Sequence, residues 1–240
     1  MDWWREMFSS PGWRAVQLSW EDADDADEDA EQVIRALDLA PGARVLDSPC
    51  GTGRIAKRLI ERGYPTVGID VTDEFLRVAR AARVPVVRGD MRTRLIRPAA
   101  VDAVVCLWGS FGYFDEDGNR AQAAAAAQAL APGGRYLIDT VVADSVLTDF
   151  EPQAAWAVGS TEVRERRRYD EEARRIEDTW TFTRGSASET QTTSVRMYTV
   201  VELMELLSEV GFASFHALDD TLQPFQSAAD RLWLVASMPD

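Results

Sequence analysis

Residues 43–70 read ARVLDSPCGTGRIAKRLIERGYPTVGID. Ala43–Asp47 is a short apolar run of strand character. Ser48 to Gly53 form a glycine-bearing bend. Arg54–Arg62 carries Ile55, Leu59 and Ile60 at helical spacing and closes on Gly63. Thr66–Asp70 is a second strand. A strand, a glycine turn, a helix and another strand make one βαβ unit. Glycines at such a bend let a ligand approach the backbone, and the helix start offers free N–H groups to an anion.

The same rhythm runs outward from this unit. Glu31–Leu39 precedes it as a helix stopped by Pro41-Gly42. After it come a helix over Asp73–Ala82, strands over Val84–Arg88 and Val101–Trp108, an alanine-rich helix over Asp117–Leu130, and a fifth strand over Arg135–Val142. Alternating strands and helices imply a doubly wound parallel sheet with helices on both faces. Beyond residue 150 the pattern turns long, β-prone and half polar: Glu162–Tyr169, Arg174–Thr183 and Thr190–Tyr198 read as three antiparallel strands. A helix over Thr199–Val210 and strands over Gly211–Leu218 and Arg231–Met238 complete the chain. The expected fold is α/β, a Rossmann-like seven-stranded mixed sheet with a small antiparallel insertion and an N-terminal helical lid. The expected divisions are 1–30 (aromatic helix and acidic segment), 31–150 (core), 151–198 (insertion over the substrate) and 199–240 (remainder of the core).

Four of eight tryptophans lie in the first twenty residues, where Trp3/Met7 and Trp4/Phe8 share helix faces and Pro11-Gly12 ends the helix. Residues 21–31, EDADDADEDAE, hold eight acids. They read as a solvated turn or helix start without the spacing of a calcium loop. They supply much of the net charge of −14; without them it is about −6. The one basic cluster, Arg164, Arg166, Arg167 and Arg168, is interleaved with acids, which argues against nucleic acid as a partner. No apolar run reaches the length of a membrane span, and two cysteines without an export signal point to the cytosol. There is no Cys/His metal pattern.

Asp70 ends the second strand, where a carboxylate bonds ribose hydroxyls. Gly51, Gly53 and Ala56 also complete a G-x-G-x-x-A pattern, so a nicotinamide dinucleotide competes with S-adenosylmethionine. Asp47 discriminates between them. A carboxylate at the end of the first strand repels a pyrophosphate but attracts an ammonium. The sequence resembles the class I S-adenosylmethionine-dependent methyltransferases, small-molecule subgroup, through VLDSPCGTGR, VGIDVTDEFLRVAR, VRGDMR, VDAVVCLWGSFGYF and LAPGGRYLIDT in order, and through RMYTVVELMELLSEVGF. Ser48-Pro49-Cys50 departs from the smaller residues common there.

The resemblance implies that S-adenosylmethionine binds and leaves as S-adenosylhomocysteine. It implies that Asp47, Gly51 and Gly53 hold the methionine portion, Asp70 the ribose and Val71 the adenine. Asp90 would meet the adenine amino group, Met91 would pack on the ring, and Leu107 would line the pocket through its backbone. The acceptor, a small molecule methylated at O, N or C, is expected near Trp108, Phe111, Tyr113 and Thr140. Trp180 and Phe182 read as the insertion's own core. Tyr113 and Asp139 are candidates for proton removal; His216, the only histidine, reads as a structural or surface residue. Cys50 reads as a packing residue, although its place beside a helix start would lower its pKa, and Cys106 lies near it if the fourth strand neighbours the first. Oligomeric state, monomer or homodimer, is open. Rival readings are other chemistry on the same cofactor, such as cyclisation, and a non-enzymatic binding protein.

Overall fold

The strand at the head of the quoted stretch, β1 (Val45–Asp47), leads through the glycine bend into helix α4 (Arg54–Glu61) and strand β2 (Thr66–Asp70). The structure is a computed structural model that describes residues 2–21, 25–147 and 150–240. Three helices precede β1: α1 (Trp3–Ser9), α2 (Pro11–Glu21) and α3 (Asp25–Ala36). After β2 come α5 (Asp73–Ala81), β3 (Val86–Arg88), β4 (Val101–Cys106), α6 (Glu116–Ala129), β5 (Leu130–Thr140) and the single turn α7 (Ala143–Val146). Four strands follow: β6 (Gln153–Val158), β7 (Thr161–Asp170), β8 (Arg175–Arg184) and β9 (Ala187–Arg196). Helix α8 (Val200–Glu209), β10 (Ser214–Leu218) and β11 (Leu232–Ser237) end the chain.

The main sheet has seven strands in the order β10-β11-β5-β4-β1-β2-β3. β5, β4, β1, β2 and β3 run parallel; β11 is antiparallel to both β5 and β10. This is the mixed seven-stranded α/β sheet expected. Its residues alternate between two cores, as the pleat requires. Val104, Cys106, Tyr136, Ile138 and Leu234 pack with α6 and α8, which contribute Ala123, Leu203 and Leu207. Ala103, Val105, Leu137 and Val235 pack with α3 and α4 through Val33, Leu37 and Leu59. Because β2 and β4 both neighbour β1, the connections leave β1 in opposite directions. That opens a crevice at the carboxyl ends of these strands.

The insertion is a separate antiparallel sheet, β6-β7-β8-β9. The sequence indicates three of its strands and misses β6, an alanine-rich edge whose Ala154, Ala155 and Ala157 carry little β propensity. Pro11-Gly12 both separates α1 from a second helix and opens it. Ser10 Oγ accepts a hydrogen bond from the Trp13 N–H at 3.1 Å, which caps α2. Pro11 takes the first helical position, where its missing N–H costs nothing. The Gly12 N–H donates to Glu189 on β9, and a Cβ at Gly12 would overlap Phe182 and Glu189. Met7, Val16, Val163 and Phe182 form the core between the two leading helices and the small sheet, with Trp180 packed against it.

Of the two readings of the acidic run, turn or helix start, the structure has the helix start. From Asp25 onward it is the first part of α3, and its acids meet arginines of α4: Arg62–Asp27 at 2.7 Å, Arg58–Asp27 and Arg54–Asp29 each at 3.5 Å. Residues 22–24 of the run lie outside the described residues. Among those described, no helix is long and apolar enough to cross a membrane.

Candidate functional site: a cavity over the glycine turn

The carboxyl ends of β1, β2 and β4 open into a cavity of about 320 Å³. The glycine turn and the segments after β2 and β3 form one half of its wall. The segment after β4, helices α1 and α2 and the inner face of the small sheet form the other. Seven of the eight residues expected at a cofactor line it: Asp47, Gly51, Asp70, Val71, Asp90, Met91 and Leu107. Gly53 stands one step behind, as the residue before α4. Gly51 and Gly53 have φ of +53° and +78°, a left-handed backbone that favours glycine.

Asp47 ends β1, is 3% exposed, and accepts a hydrogen bond from the Ala56 N–H in the first turn of α4. Burial, and then the nearby Asp70 carboxylate, push its pKa up to about 8. A carboxyl group so placed is short of a cation and matches the ammonium of an amino acid. The first turn of α4 has no side-chain cap from Gly53, which suits it to the carboxylate of the same amino acid. These residues therefore fit the methionine portion of S-adenosylmethionine.

Asp70 accepts the Gly51 N–H on Oδ2 at 2.9 Å and the Thr72 N–H on Oδ1 at 2.8 Å. Burial raises its pKa against the pull of those donors, of the Thr72 hydroxyl and of the Val71 N–H. Asp90 is held by Arg92, whose Nε and Nη2 lie 3.0 and 2.6 Å from its two oxygens. Burial pushes the Asp90 carboxyl up, but Arg92 outweighs it and keeps it below the usual carboxylate range. Arg92 also lies 4.2 Å over the Phe114 ring.

At the other end, Trp108 and Tyr113 line the cavity together with Trp3, Phe8, Trp13 and Trp180. The rings contact edge-on or tilted: Trp3–Tyr113 at 4.9 Å, Phe8–Tyr113 at 5.8 Å and Trp13–Trp180 at 5.6 Å between centroids. The Tyr113 hydroxyl lies 3.5 Å from Ser110 Oγ, and burial pushes its pKa up.

Several expected placements are corrected. Phe111 is 2% exposed, belongs to the core under α6 and α8, and contacts Tyr198 rather than the cavity. It follows the fourth strand as an aromatic, which the sequence cannot separate from a wall residue. Thr140 is buried at the end of β5, off the cavity, with its hydroxyl on the Val141 carbonyl. Asp139 is no free base: Oδ1 is bonded by Arg231 Nε at 2.9 Å, and Oδ2 by Arg231 Nη2 and, at 2.8 Å, by the Trp108 N–H. Cys50 is buried, as a packing residue is, but its pKa shift is the reverse of that expected from the helix start. Burial, then the charges of Asp47 and Asp70, raise its pKa and outweigh the helix start. β4 does pair with β1; Cys50 and Cys106 are both buried free thiols. Burial pushes Cys106 up to about 12. His216 is exposed on β10, the edge strand. Trp180 serves both the small sheet's core and the cavity wall, while Phe182 stays in that core. Asp178 and Thr193, on β8 and β9, line the cavity and were not singled out in the sequence.

Residues 45–134 match a family profile described as a methyltransferase domain. The glycine/sarcosine N-methyltransferase of Halorhodospira halochloris is 30% identical over 146 residues, 53% of this chain and 52% of that protein. The ubiquinone biosynthesis O-methyltransferase of Idiomarina loihiensis is 33% identical over 107 residues, 42% of this chain and 43% of that protein. The matches thus span about half of these curated relatives or less. In fold, the chain resembles the amino pentose methyltransferase of calicheamicin biosynthesis from Micromonospora echinaspora, solved with bound S-adenosylmethionine. The TM-score is 0.70 at 24% identity over 94% of this chain and 95% of that one. Fold and site define a Rossmann-like α/β protein whose cavity fits S-adenosylmethionine. Residues 45–134 thus carry a methyltransferase domain, and the chain shares the fold of S-adenosylmethionine-dependent methyltransferases.

Proposed function

We propose that this chain moves a methyl group from S-adenosylmethionine to an O, N or C atom of a small molecule. The observation that carries the reading is Asp47, a buried carboxyl group without a cation among the described residues, lining the same cavity as a wall of aromatic side chains. Asp47, Gly51 and Gly53 hold the methionine portion, Asp70 bonds the ribose, Val71 and Met91 pack on the adenine, Asp90 takes its amino group, and Leu107 contributes backbone. Trp108 and Tyr113 border the acceptor. The cofactor supplies a methyl group already activated on a sulfonium. What the chain adds is orientation at near-attack distance and exclusion of water. Helices α1 and α2 and the small sheet cover the acceptor end as a lid on the α/β core. An enclosed aromatic chamber suits a small molecule rather than a nucleic acid or a membrane.

The test is thermal melting with S-adenosylmethionine, S-adenosylhomocysteine and NADH. A ligand at ~100 times its Kd adds about 2.7 kcal/mol, a rise of roughly 5–10 °C for this length. Both adenosyl compounds should raise Tm and NADH should not. A rise with NADH alone would overturn the reading.

A further inference from the structure

The inner face of the small sheet carries one transverse row of polar residues. Arg167 on β7 stands opposite Asp178 on β8, which stands opposite Thr193 on β9. Thr193 Oγ1 donates to Asp178 Oδ2 at 3.3 Å and accepts from Trp180 Nε1 at 3.2 Å. The second oxygen, Asp178 Oδ1, is buried and makes no hydrogen bond among the described residues. A buried, unpaired carboxylate oxygen is costly and calls for a partner.

The described residues do not supply one. Arg167 is engaged by Glu165, one pair further along β7 and 3% exposed. Glu165, Arg167 and Asp178 together leave one negative charge uncompensated. Burial, then the charge of Glu165, push the Asp178 carboxyl up to about 7, against Arg167 and the Thr193 hydroxyl. From the leading helices, Trp13 and Gln17 line the same cavity. The wall beside Asp178 is aromatic: Trp3, Phe8, Trp13, Tyr113 and Trp180. A carboxylate flanked by aromatic faces is the arrangement that holds an ammonium, by a charge pair on one side and by the ring quadrupoles on the others.

We propose that Asp178 and these rings form the seat of the methyl acceptor's amino group, so that the acceptor is an amine and Asp178 takes its proton. This rests on the methyltransferase reading and narrows it to nitrogen. The ammonium enters as the partner of Asp178 Oδ1. Its proton passes to that oxygen, leaving a neutral amine and a neutral carboxyl. The freed nitrogen lone pair forms the N–C bond with the methyl carbon. The C–S bond breaks, its electron pair stays on sulfur as a neutral thioether, and the positive charge ends on the methylated nitrogen. Asp178 thereby removes the one proton that blocks attack.

The experiment is a binding titration followed by tryptophan fluorescence, with the protein saturated by S-adenosylhomocysteine. The probes are benzylamine, benzyltrimethylammonium and the neutral benzyl alcohol, at pH 8. Both cations should bind about tenfold or more tightly than the alcohol. Asp178→Asn should abolish the preference while binding S-adenosylhomocysteine as the wild type does. Equal affinity for cation and alcohol, no binding of the cations, or a preference that survives in Asp178→Asn overturns the proposal. The wild-type comparison stands even where the variant fails to fold. Failure of S-adenosylhomocysteine itself to bind defeats the methyltransferase reading, and the proposal with it.

Discussion

The carboxylate of Asp139 fastens the backbone of Trp108. The Trp108 N–H donates to Oδ2 at 2.8 Å, and Arg231 bonds the same carboxylate while its guanidinium sits 4.7 Å from the Trp108 ring. Trp108 has φ +60°, a left-handed conformation that a tryptophan adopts only under constraint. β5 therefore fixes the turn that follows β4, at the edge of the cavity.

Removing that carboxylate leaves Arg231 without its partner and a backbone N–H unbonded. Asp139→Ala should lose about 3–5 kcal/mol of stability, a drop of roughly 10 °C in Tm. A proton-removing role predicts the opposite pattern: Tm unchanged and turnover abolished. Calorimetry alongside an activity assay separates the two.

Asp47 makes the cofactor-free protein sensitive to pH. Its folded pKa, about 8, lies above its value in the unfolded chain. Between about pH 4 and 8 the folded state therefore keeps a proton that the unfolded chain has released, and stability falls as pH rises through that window. Asp47→Asn should flatten most of the slope and raise Tm at pH 8 without ligand, while weakening S-adenosylmethionine. Asp178, pushed up to about 7, leaves part of the slope in place. Melting curves from pH 5 to 8 on both proteins check this; unchanged S-adenosylmethionine affinity in the variant would sink the ammonium role.

Asp70 bridges the glycine turn to the start of α5. Asp70→Ala should weaken S-adenosylhomocysteine by about ten- to a hundredfold, the loss expected for one or two charge-assisted hydrogen bonds. Isothermal titration calorimetry reads it directly.

Phe111 and Tyr113, two residues apart, should separate cleanly. Phe111→Ala empties a core position and should cost about 3–5 kcal/mol. Tyr113→Phe removes only a hydroxyl at the cavity wall and should leave the stability within about 1 kcal/mol of wild type. Urea denaturation of both variants tests the assignment.

The alternating core was legible because its strands are short apolar runs punctuated by Gly and Pro. Most of the cofactor half followed from where those strands end: Asp47, Asp70 and Asp90 each lie at or just past one. The acceptor half was harder. Pro11 looks the same whether it stops one helix or starts another, and only the Ser10 cap decides. Asp178 sits in a strand of mixed polar residues, where alternation names a face but not what covers it. Its row with Arg167 and Thr193 depends on a register fixed by the turns around 171–174 and 185–186. Phe111 and Trp108 look alike as aromatics after β4, and only the left-handed turn between them sends one inward and the other out.

Both cysteines are buried with raised thiol pKa values. At neutral pH the chain therefore presents thiol-reactive dyes with almost no thiolate of its own. A cysteine introduced at exposed Leu18 on α2 or Val201 on α8 becomes the site of labelling with the native pair left in place. A fluorophore pair so attached would report on whether the leading helices swing away from the core as ligands enter and leave.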